Sequence, residues 1–567
     1  MPLPIRRTGA LPAILTGALM MGSLGCAGPG PKLFPAAPAQ RQTLPDGSVE
    51  RWYDTNRDGC PDYREQVSPD GLLVAIGYDR NQDGQVEENV VLEQVPENER
   101  RHLVVLLDSV PHEIVEALRR EGCFQFFRGL SRVISPFPVM TDLSFAEFFH
   151  VSPSPGVESE YYDGRRLRDG YGVYIREENS AWTACTDYHM PQLNHGNAYL
   201  DIRPWFAHEL RKIQKLFLES DRPLVIGYCV GTSGMGAVYG RQGHVDAMIM
   251  VDRFCRELIY QTRGRVRFTL LSDHGHYLGC RESKRIPLRR KLAQCGYRVR
   301  ERLRRPGDVV VPEFSMVSCA SIYTHAPACV ARDVVMIEGV DLAAYREGAD
   351  LVVVRRDGLA RLSRSAAGFR YQPERGDPLE LQPILARLAQ AGEVDADGYV
   401  SDHALFAATV DHTYPDVAAR LWRAFHGLVE HVPDVLVSLA DGYHVGSKLQ
   451  TDLITLIGVH GSLRPMSTYG FAMTTEGELP GNVRMADLRA SLREVGVPFP
   501  CTGQTGRSTS EPVALDRRFR APLYLGADYR RAVVERDPPL EASDRWPQVT
   551  GTPGHKYEMD ASQPGRL

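Results

Sequence analysis

The sequence predicts an α/β domain built on a central, mostly parallel sheet sandwiched by helices, with a cap or insertion and a small β module in front. Three observations lead there. Beyond about residue 100, apolar strand-like runs alternate with segments of helical period, the signature of an α/β domain. Four segments end in a polar group: His102 to Asp108, Pro136 to Thr141, Phe268 to Asp273-His274-Gly275, and Leu456 to His460-Gly461. Such endings are where an open α/β sheet builds its active site. Ahead of residue 99, two Asp/Asn/Gly loops lie between segments that alternate like strands, Val49–Tyr53 and Leu72–Tyr78.

In chain order, residues 1–25 read as a signal peptide. Arg6 and Arg7 precede an apolar stretch from Ala10 to Gly25 that is too short and Gly-rich to read as a spanning helix. Ser23-Leu24-Gly25-Cys26 resembles the bacterial lipobox, in which the Cys is acylated and becomes the mature N-terminus; an ordinary signal peptide cut elsewhere is the alternative. Residues 26–46, rich in Pro, Gly and Ala, have the composition of a tether. No other segment is long and apolar enough to span a bilayer. The expected location is the bacterial cell envelope, with the chain lipid-anchored to a membrane through Cys26. Ten further cysteines are an even number compatible with disulfides in an exported chain, and their connectivity stays open.

Residues 47–98 form the predicted β module. In its first loop Asp54, Asn56, Asp58, the carbonyl of Cys60, Asp62 and Glu65 stand at calcium-ligand positions, with Gly59 at the sharp turn. The second loop repeats the first half with Asp79, Asn81 and Asp83 and lacks the closing Glu, because Val90 stands there. Plain Asp/Asn/Gly hairpin turns without an ion are the alternative. The segment from Pro111 to Gly122 starts and stops like a helix, and Phe206, Leu210, Ile213 and Phe217 recur at helical spacing. A strand is expected from Leu224, a helix from His244 through Asp252 to Leu258, and buried strands at Asp333–Ile337, Asp350–Val354 and Asp434–Leu439. Residues 281–396 are the expected cap or insertion, and 501–567 a poorly packed tail.

The polar ends carry the chemistry. A carboxylate, a hydroxyl and a second Asp beside a His supply the ligands that a borderline cation such as zinc takes. Taken singly, Asp108 suits a cap for the helix near Pro111, and Thr141 a cap for the next helix. An adjacent acid and imidazole at a strand end, Asp273-His274, has few purely structural uses.

The order Asp108, Thr141, Asp273-His274, His460 resembles the alkaline phosphatase superfamily, most nearly its type I phosphodiesterase and nucleotide pyrophosphatase branch. That resemblance implies an alkaline phosphatase-like domain over residues 99–500. It also implies two zinc ions with a Thr or Ser between them that attacks phosphorus, as in two-metal phosphoryl transfer generally. Matched by motif, Asp108, Thr141, Asp273 and His274 are the ligands of one zinc, Thr141 being the nucleophile as well, and His460 is one ligand of the other. The chain departs from the family where a further Asp and His belong, since Ser233 and Ala237 occupy those positions. Losing that cation would cost several kcal/mol, roughly three powers of ten in rate. His244, Asp246 and His276 lie near the motifs in sequence and are the candidates for local rescue; a place at the start of the following helix is the plainer role of the first two.

Three readings follow. One is a metal-dependent hydrolase of small-molecule phosphate or sulfate esters, the second a pseudoenzyme that binds an anionic ester or a protein partner, and the third a calcium-dependent envelope scaffold. A net charge of −5 over 567 residues gives no case for nucleic-acid binding.

Overall fold

The computed structural model describes residues 34–499, apart from residues 193, 196–201 and 280–281. Cys26 and the stretch 501–567 lie outside the described residues. At its centre is a six-stranded sheet in the order Asn482–Arg484, Ser131–Ile134, Tyr469–Thr474, Val266–Ser272, Arg101–Leu107, Leu224–Cys229. Arg101–Leu107 runs parallel to both of its neighbours, and Tyr469–Thr474 is the one antiparallel strand. The near-continuous apolar runs of the parallel strands follow from burial on both faces. On one face Val104, Leu106, Ile226 and Leu271 join a cluster with Phe145 and Phe148 of the helix Thr141–Phe149 and with Leu488 and Leu492 of the helix Met485–Glu494. The alternate residues Leu103, Val105 and Leu107 are equally buried. The helices His112–Arg120 and Gly231–Thr262 pack on each other and against the sheet. The sheet is thus sandwiched, as the alternation predicts.

The predicted helix through Phe206 is Ile202–Glu219, with Phe206, Leu210, Ile213 and Phe217 all buried. The stretch 333–337 is not a strand. Pro327 opens a helix, Pro327–Val334, whose buried face is Val330, Ala331 and Val334, and the rest of the apolar run, Val335 to Ile337, forms the turn after it. The region expected as a cap is a second sheet of eight strands, from Arg298–Val299 to Gly368–Arg375. Val435–Leu439 is inserted in its middle, between Cys319–Thr324 and Val340–Glu347, so this layer draws on chain well beyond residue 396.

The N-terminal module is a five-stranded antiparallel meander, Gln40–Thr43, Val49–Tyr53, Tyr63–Val67, Leu73–Tyr78 and Glu88–Val91. Its first strand falls inside the expected tether. The Pro45-Asp46-Gly47 turn, with Gly47 at φ 84°, folds Gln40–Thr43 back onto Val49–Trp52. Both acidic loops fold alike. The first carboxylate accepts from the backbone N–H groups four and five residues on, from Asp58 and Gly59 to Asp54, and from Asp83 and Gly84 to Asp79. In the second loop Asp79, Asp83 and Glu87 converge, and Glu87 accepts the Arg80 N–H at 2.8 Å. Glu65 does not close the first loop. It is fully buried, accepts from Tyr53 Oη at 3.1 Å, and is ion-paired with Arg256 of the helix Gly231–Thr262.

Candidate functional site

The parallel strands deliver their polar ends to one edge of the central sheet. Asp108 follows Leu107, Asp273 and His274 follow Ser272, and the chain after Ile134 turns through Pro136 to Thr141, the first residue of its helix. Ligand atoms of Asp108, Asp273 and His274 all lie within 4.8 Å of one another, and all three side chains are buried. Thr141 Oγ1 stands 3.4 Å from His274 Nε2 and is partly exposed. The ring of His460 stacks on that of His274 at 4.2 Å, and it too is partly exposed. Five residues scattered over more than 350 positions therefore meet, with Thr141 and His460 on the side open to solvent.

Neither structural alternative for the first two residues describes what they do. The helix after Asp108 has Pro111 at its N-cap, and the helix at Thr141 has Met140 there, with no side-chain cap bond in either. The Asp108 carboxylate instead accepts from Ser109 Oγ on Oδ1 and from Tyr228 Oη on Oδ2, each at 2.5 Å. Burial, and then the neighbouring Asp108, raise the Tyr228 phenol well above its ordinary value, which keeps it a donor.

The hydrogen-bond roles around Asp273 and His274 define a cation-sized gap in the bonding. A carbonyl oxygen only accepts, so the 2.8 Å contact of His274 Nδ1 with Gly275 O places the proton on Nδ1 and a lone pair on Nε2. Burial lowers the pKa of this ring, favouring the neutral form. Facing Nε2 at 3.2 Å is Asp273 Oδ2, a buried oxygen with no hydrogen-bond donor, while Oδ1 accepts the N–H groups of Ser109 and His274, each at 2.9 Å. Two acceptors facing each other in a buried site cost free energy unless a proton or a metal cation lies between them. Burial, and then Asp108, push Asp273 well above the usual carboxylate range, the mark of two carboxylates sharing a site without a counter-charge. The donor set of carboxylate oxygens, one imidazole nitrogen and a hydroxyl fits zinc.

Local chain geometry explains the sequence around these groups. Gly275 is fixed by space, because a Cβ there would meet Met466 O at 2.1 Å. Ser109 adopts φ 63°, in the left-handed region, and so turns its N–H onto Asp273 and its hydroxyl onto Asp108. Sequence reasoning misses Ser109, Tyr228 and Glu209. Glu209, fully buried on the helix Ile202–Glu219, accepts from Val230 N and Gly231 N at 3.1 and 2.8 Å and so holds the start of the helix carrying Ser233. The one available signal for it is a lone carboxylate beside Leu210, on the apolar stripe of that helix.

Ser233 and Ala237, where the resemblance implies further metal ligands, make other contacts. Ser233 Oγ lies 3.3 Å from Ser109 Oγ. Ala237 packs with Leu456 and Val459, and its carbonyl accepts from Ile457 N and Gly458 N at 2.7 and 3.2 Å, fastening the His460 loop. His460 keeps the outer contact expected of a ligand, Nδ1 to Val139 O at 2.9 Å, leaving Nε2 with a lone pair. Asp246 is engaged elsewhere, by Arg203 and by Gln242 at 2.8 Å.

No family model matches the chain, and no curated protein matches it. Among solved structures it is similar to murine and human ectonucleotide pyrophosphatase/phosphodiesterase 5, each at 12% identity and TM-score 0.38, covering 71% of this chain and 96% and 97% of theirs. It is also similar to the phosphonoacetate hydrolase of Sinorhizobium meliloti 1021 in complex with phosphonoacetate, at 13% identity and TM-score 0.35, covering 70% of this chain and 96% of that one. Those proteins belong to the alkaline phosphatase superfamily.

Proposed function

We propose that this protein is an exported, metal-dependent hydrolase of phosphate or sulfate esters, with Thr141 as nucleophile and one zinc ion held by Asp108, Thr141, Asp273 and His274. The observation that carries this reading is the pair of facing acceptors, Asp273 Oδ2 and the lone-pair nitrogen of His274, 3.2 Å apart beside a partly exposed threonine. A zinc ion bound there would polarise the ester and lower the pKa of the Thr141 hydroxyl. Thr141 Oγ1 gives up its proton to solvent and forms the bond to phosphorus or sulfur as the ester oxygen leaves on the opposite side as its anion or, after taking a proton from water, as the alcohol, and water then releases the acid from the threonyl ester. Tyr228 and Ser109 hold the Asp108 carboxylate in place throughout, and the N-terminus of the helix Thr141–Phe149 favours the anionic group.

The purified full chain is expected to hydrolyse an activated aryl phosphodiester slowly, to lose that activity on chelation and to regain it with zinc. Activity that survives exhaustive chelation would sink the reading. Calcium in the two acidic loops completes the proposed cofactor set, with Glu87 rather than Glu65 among the acids of the pair. Tethering through Cys26 is part of the same proposal. Cys26→Ser should move the protein to the soluble fraction or leave it unprocessed, and unchanged incorporation of a fatty-acid probe would reject the anchor.

A further inference from the structure

The fold brings together arginines from two distant stretches of a chain whose net charge is −5. The loop 163–169 and the segment 298–308 hold eight arginines against four acids, Asp163, Asp169, Glu301 and Asp308. The two are neighbours. Leu167 N donates to Glu301 O at 2.8 Å, and Leu167 and Leu303 both pack on the cluster of Tyr162, Val310 and Tyr323. Each stretch is shaped by a carboxylate turned to its own backbone. Asp163 Oδ1 accepts the N–H groups of Arg165 and Arg166 at 2.9 and 2.8 Å, and Asp308 Oδ2 accepts those of Arg304 and Arg305 at 2.9 and 2.8 Å.

These acids neutralise little of the surface. Arg168 is paired with Asp163 at 3.6 Å and Arg298 with Asp308 at 2.8 Å. Arg165, Arg166, Arg300, Arg302, Arg304 and Arg305 are exposed and have no carboxylate partner among the described residues. Like charges on adjacent loops without counter-charges repel one another, and a fixed anionic surface removes that repulsion. Apolar side chains stand beside them. Asp169 caps the helix Gly170–Ile175, on which Tyr171 and Ile175, one turn apart, are 49% and 50% exposed. A hollow of about 210 Å³ joins that helix to the loop. Arg166, Arg168 and Arg176 line it with Leu167, Asp169 and Val173, and Arg176 is paired with Glu178 at 2.6 Å. Guanidinium groups take phosphate through paired N–H donors.

We propose that this surface docks on an anionic lipid bilayer, with the arginines on the headgroups and Tyr171 and Ile175 at the acyl boundary. A soluble polyanion answers the arginines alone, whereas a bilayer interface answers both features. None of the metal ligands takes part, and the contact holds whether or not Cys26 is acylated. With an acyl anchor present, it is a second attachment that sets how the domain lies on the membrane.

The test is flotation with vesicles of equal parts phosphatidylglycerol and phosphatidylcholine, against vesicles of phosphatidylcholine alone. The full chain carrying Cys26→Ser is used, so that no acyl chain masks the contact and the N-terminal segment is the same in every sample. The expected result is binding at least about tenfold tighter to the anionic vesicles, a preference that shrinks as salt is raised. Combining Arg165→Gln, Arg166→Gln, Arg302→Gln and Arg304→Gln should reduce the preference to below about threefold. Arg375→Gln with Arg387→Gln, at exposed arginines of other elements, should leave it unchanged. Ile175→Ser should weaken binding to the anionic vesicles without changing retention on immobilised polyphosphate. Circular dichroism of each variant separates loss of the contact from loss of the fold. Equal binding to the two vesicles, or a fourfold variant that keeps the wild-type preference, overturns the docking face. A wild type that floats with neither vesicle but is held by polyphosphate through the same arginines assigns the surface to a soluble polyanion and overturns it as well. The hydrolase reading is tested separately and survives either result.

Discussion

Thr141→Ala is expected to abolish turnover of an aryl phosphoester, with a fall in kcat of at least about a thousandfold, because it removes the atom that forms the new bond. Thr141→Ser keeps a hydroxyl and should retain most of the rate. The substitution removes no cap bond, because Met140 is the N-cap of that helix; the Thr141 hydroxyl's contact is with His274 Nε2 at 3.4 Å, inside the site itself. Stability should shift by no more than about 1 kcal/mol, the net worth of one hydrogen bond. Zinc content should fall little, since Asp108, Asp273 and His274 remain. An alanine variant that hydrolyses the ester at the wild-type rate would remove Thr141 from the mechanism.

The largest expected effect on stability is at Arg256. This residue is 7% exposed and lies between two carboxylates, the fully buried Glu65 of the N-terminal meander and Asp252 one turn back, whose Oδ2 accepts from Nε at 2.8 Å. Removing one member of a buried ion pair leaves its partner charged and unpaired, which costs about 3–5 kcal/mol. Arg256→Ala strands two carboxylates, so the upper half of that range is expected in a denaturant titration. Much of the damage should appear in the meander, because Glu65 is one of the polar ties between it and the helix. Tyr63 and Tyr78, packed around Tyr260, supply the apolar remainder. Adding Glu65→Leu and Asp252→Leu to an Arg256→Leu variant should recover part of the loss by eliminating the stranded charges. A cost below about 1 kcal/mol for the alanine variant would mean that the carboxylates find water or protons.

Glu65 also shows where sequence reasoning stops. Its spacing from Asp54 fits the closing position of a calcium loop, but that pattern assumes a helix after the loop. Here a strand follows, Tyr63–Val67, and its two-residue period turns Glu65 inward with Tyr63 and Val67. The acid that joins the second loop is Glu87, at the ninth position, where the first loop has Asp62. The central sheet was legible because strands buried on both faces are written as unbroken apolar runs. The strand assigned to Asp333–Ile337 was misread because a short apolar run does not by itself distinguish a strand from the end of a helix and the turn that follows it.

The site divides along the same line. Asp108, Thr141, Asp273 and His274 could be read because each follows a strand or begins a helix at the sheet edge, whereas His460 lies in a loop and was read from its Gly-Val-His-Gly run. Ser109, Tyr228 and Glu209 were not, because their roles come from a left-handed backbone, a neighbouring strand and a buried helix face, none of which has a signature in spacing. His244 could be named from sequence as a candidate. It packs against Gly236 because the helix Gly231–Thr262 breaks at Gly240, which only the fold reveals.

The central claim, that Asp108, Asp273 and His274 hold a catalytic cation, is tested most directly by zinc analysis of the purified wild type beside Asp273→Asn, with hydrolysis measured on the same samples. Asparagine keeps the shape of the side chain and supplies a far poorer ligand in place of Asp273 Oδ2. The account predicts that the variant loses one equivalent of zinc and its activity together, while its fold, followed by circular dichroism, is retained. A folded Asp273→Asn protein that keeps the full zinc content, or that hydrolyses the ester as fast as the wild type, would contradict it.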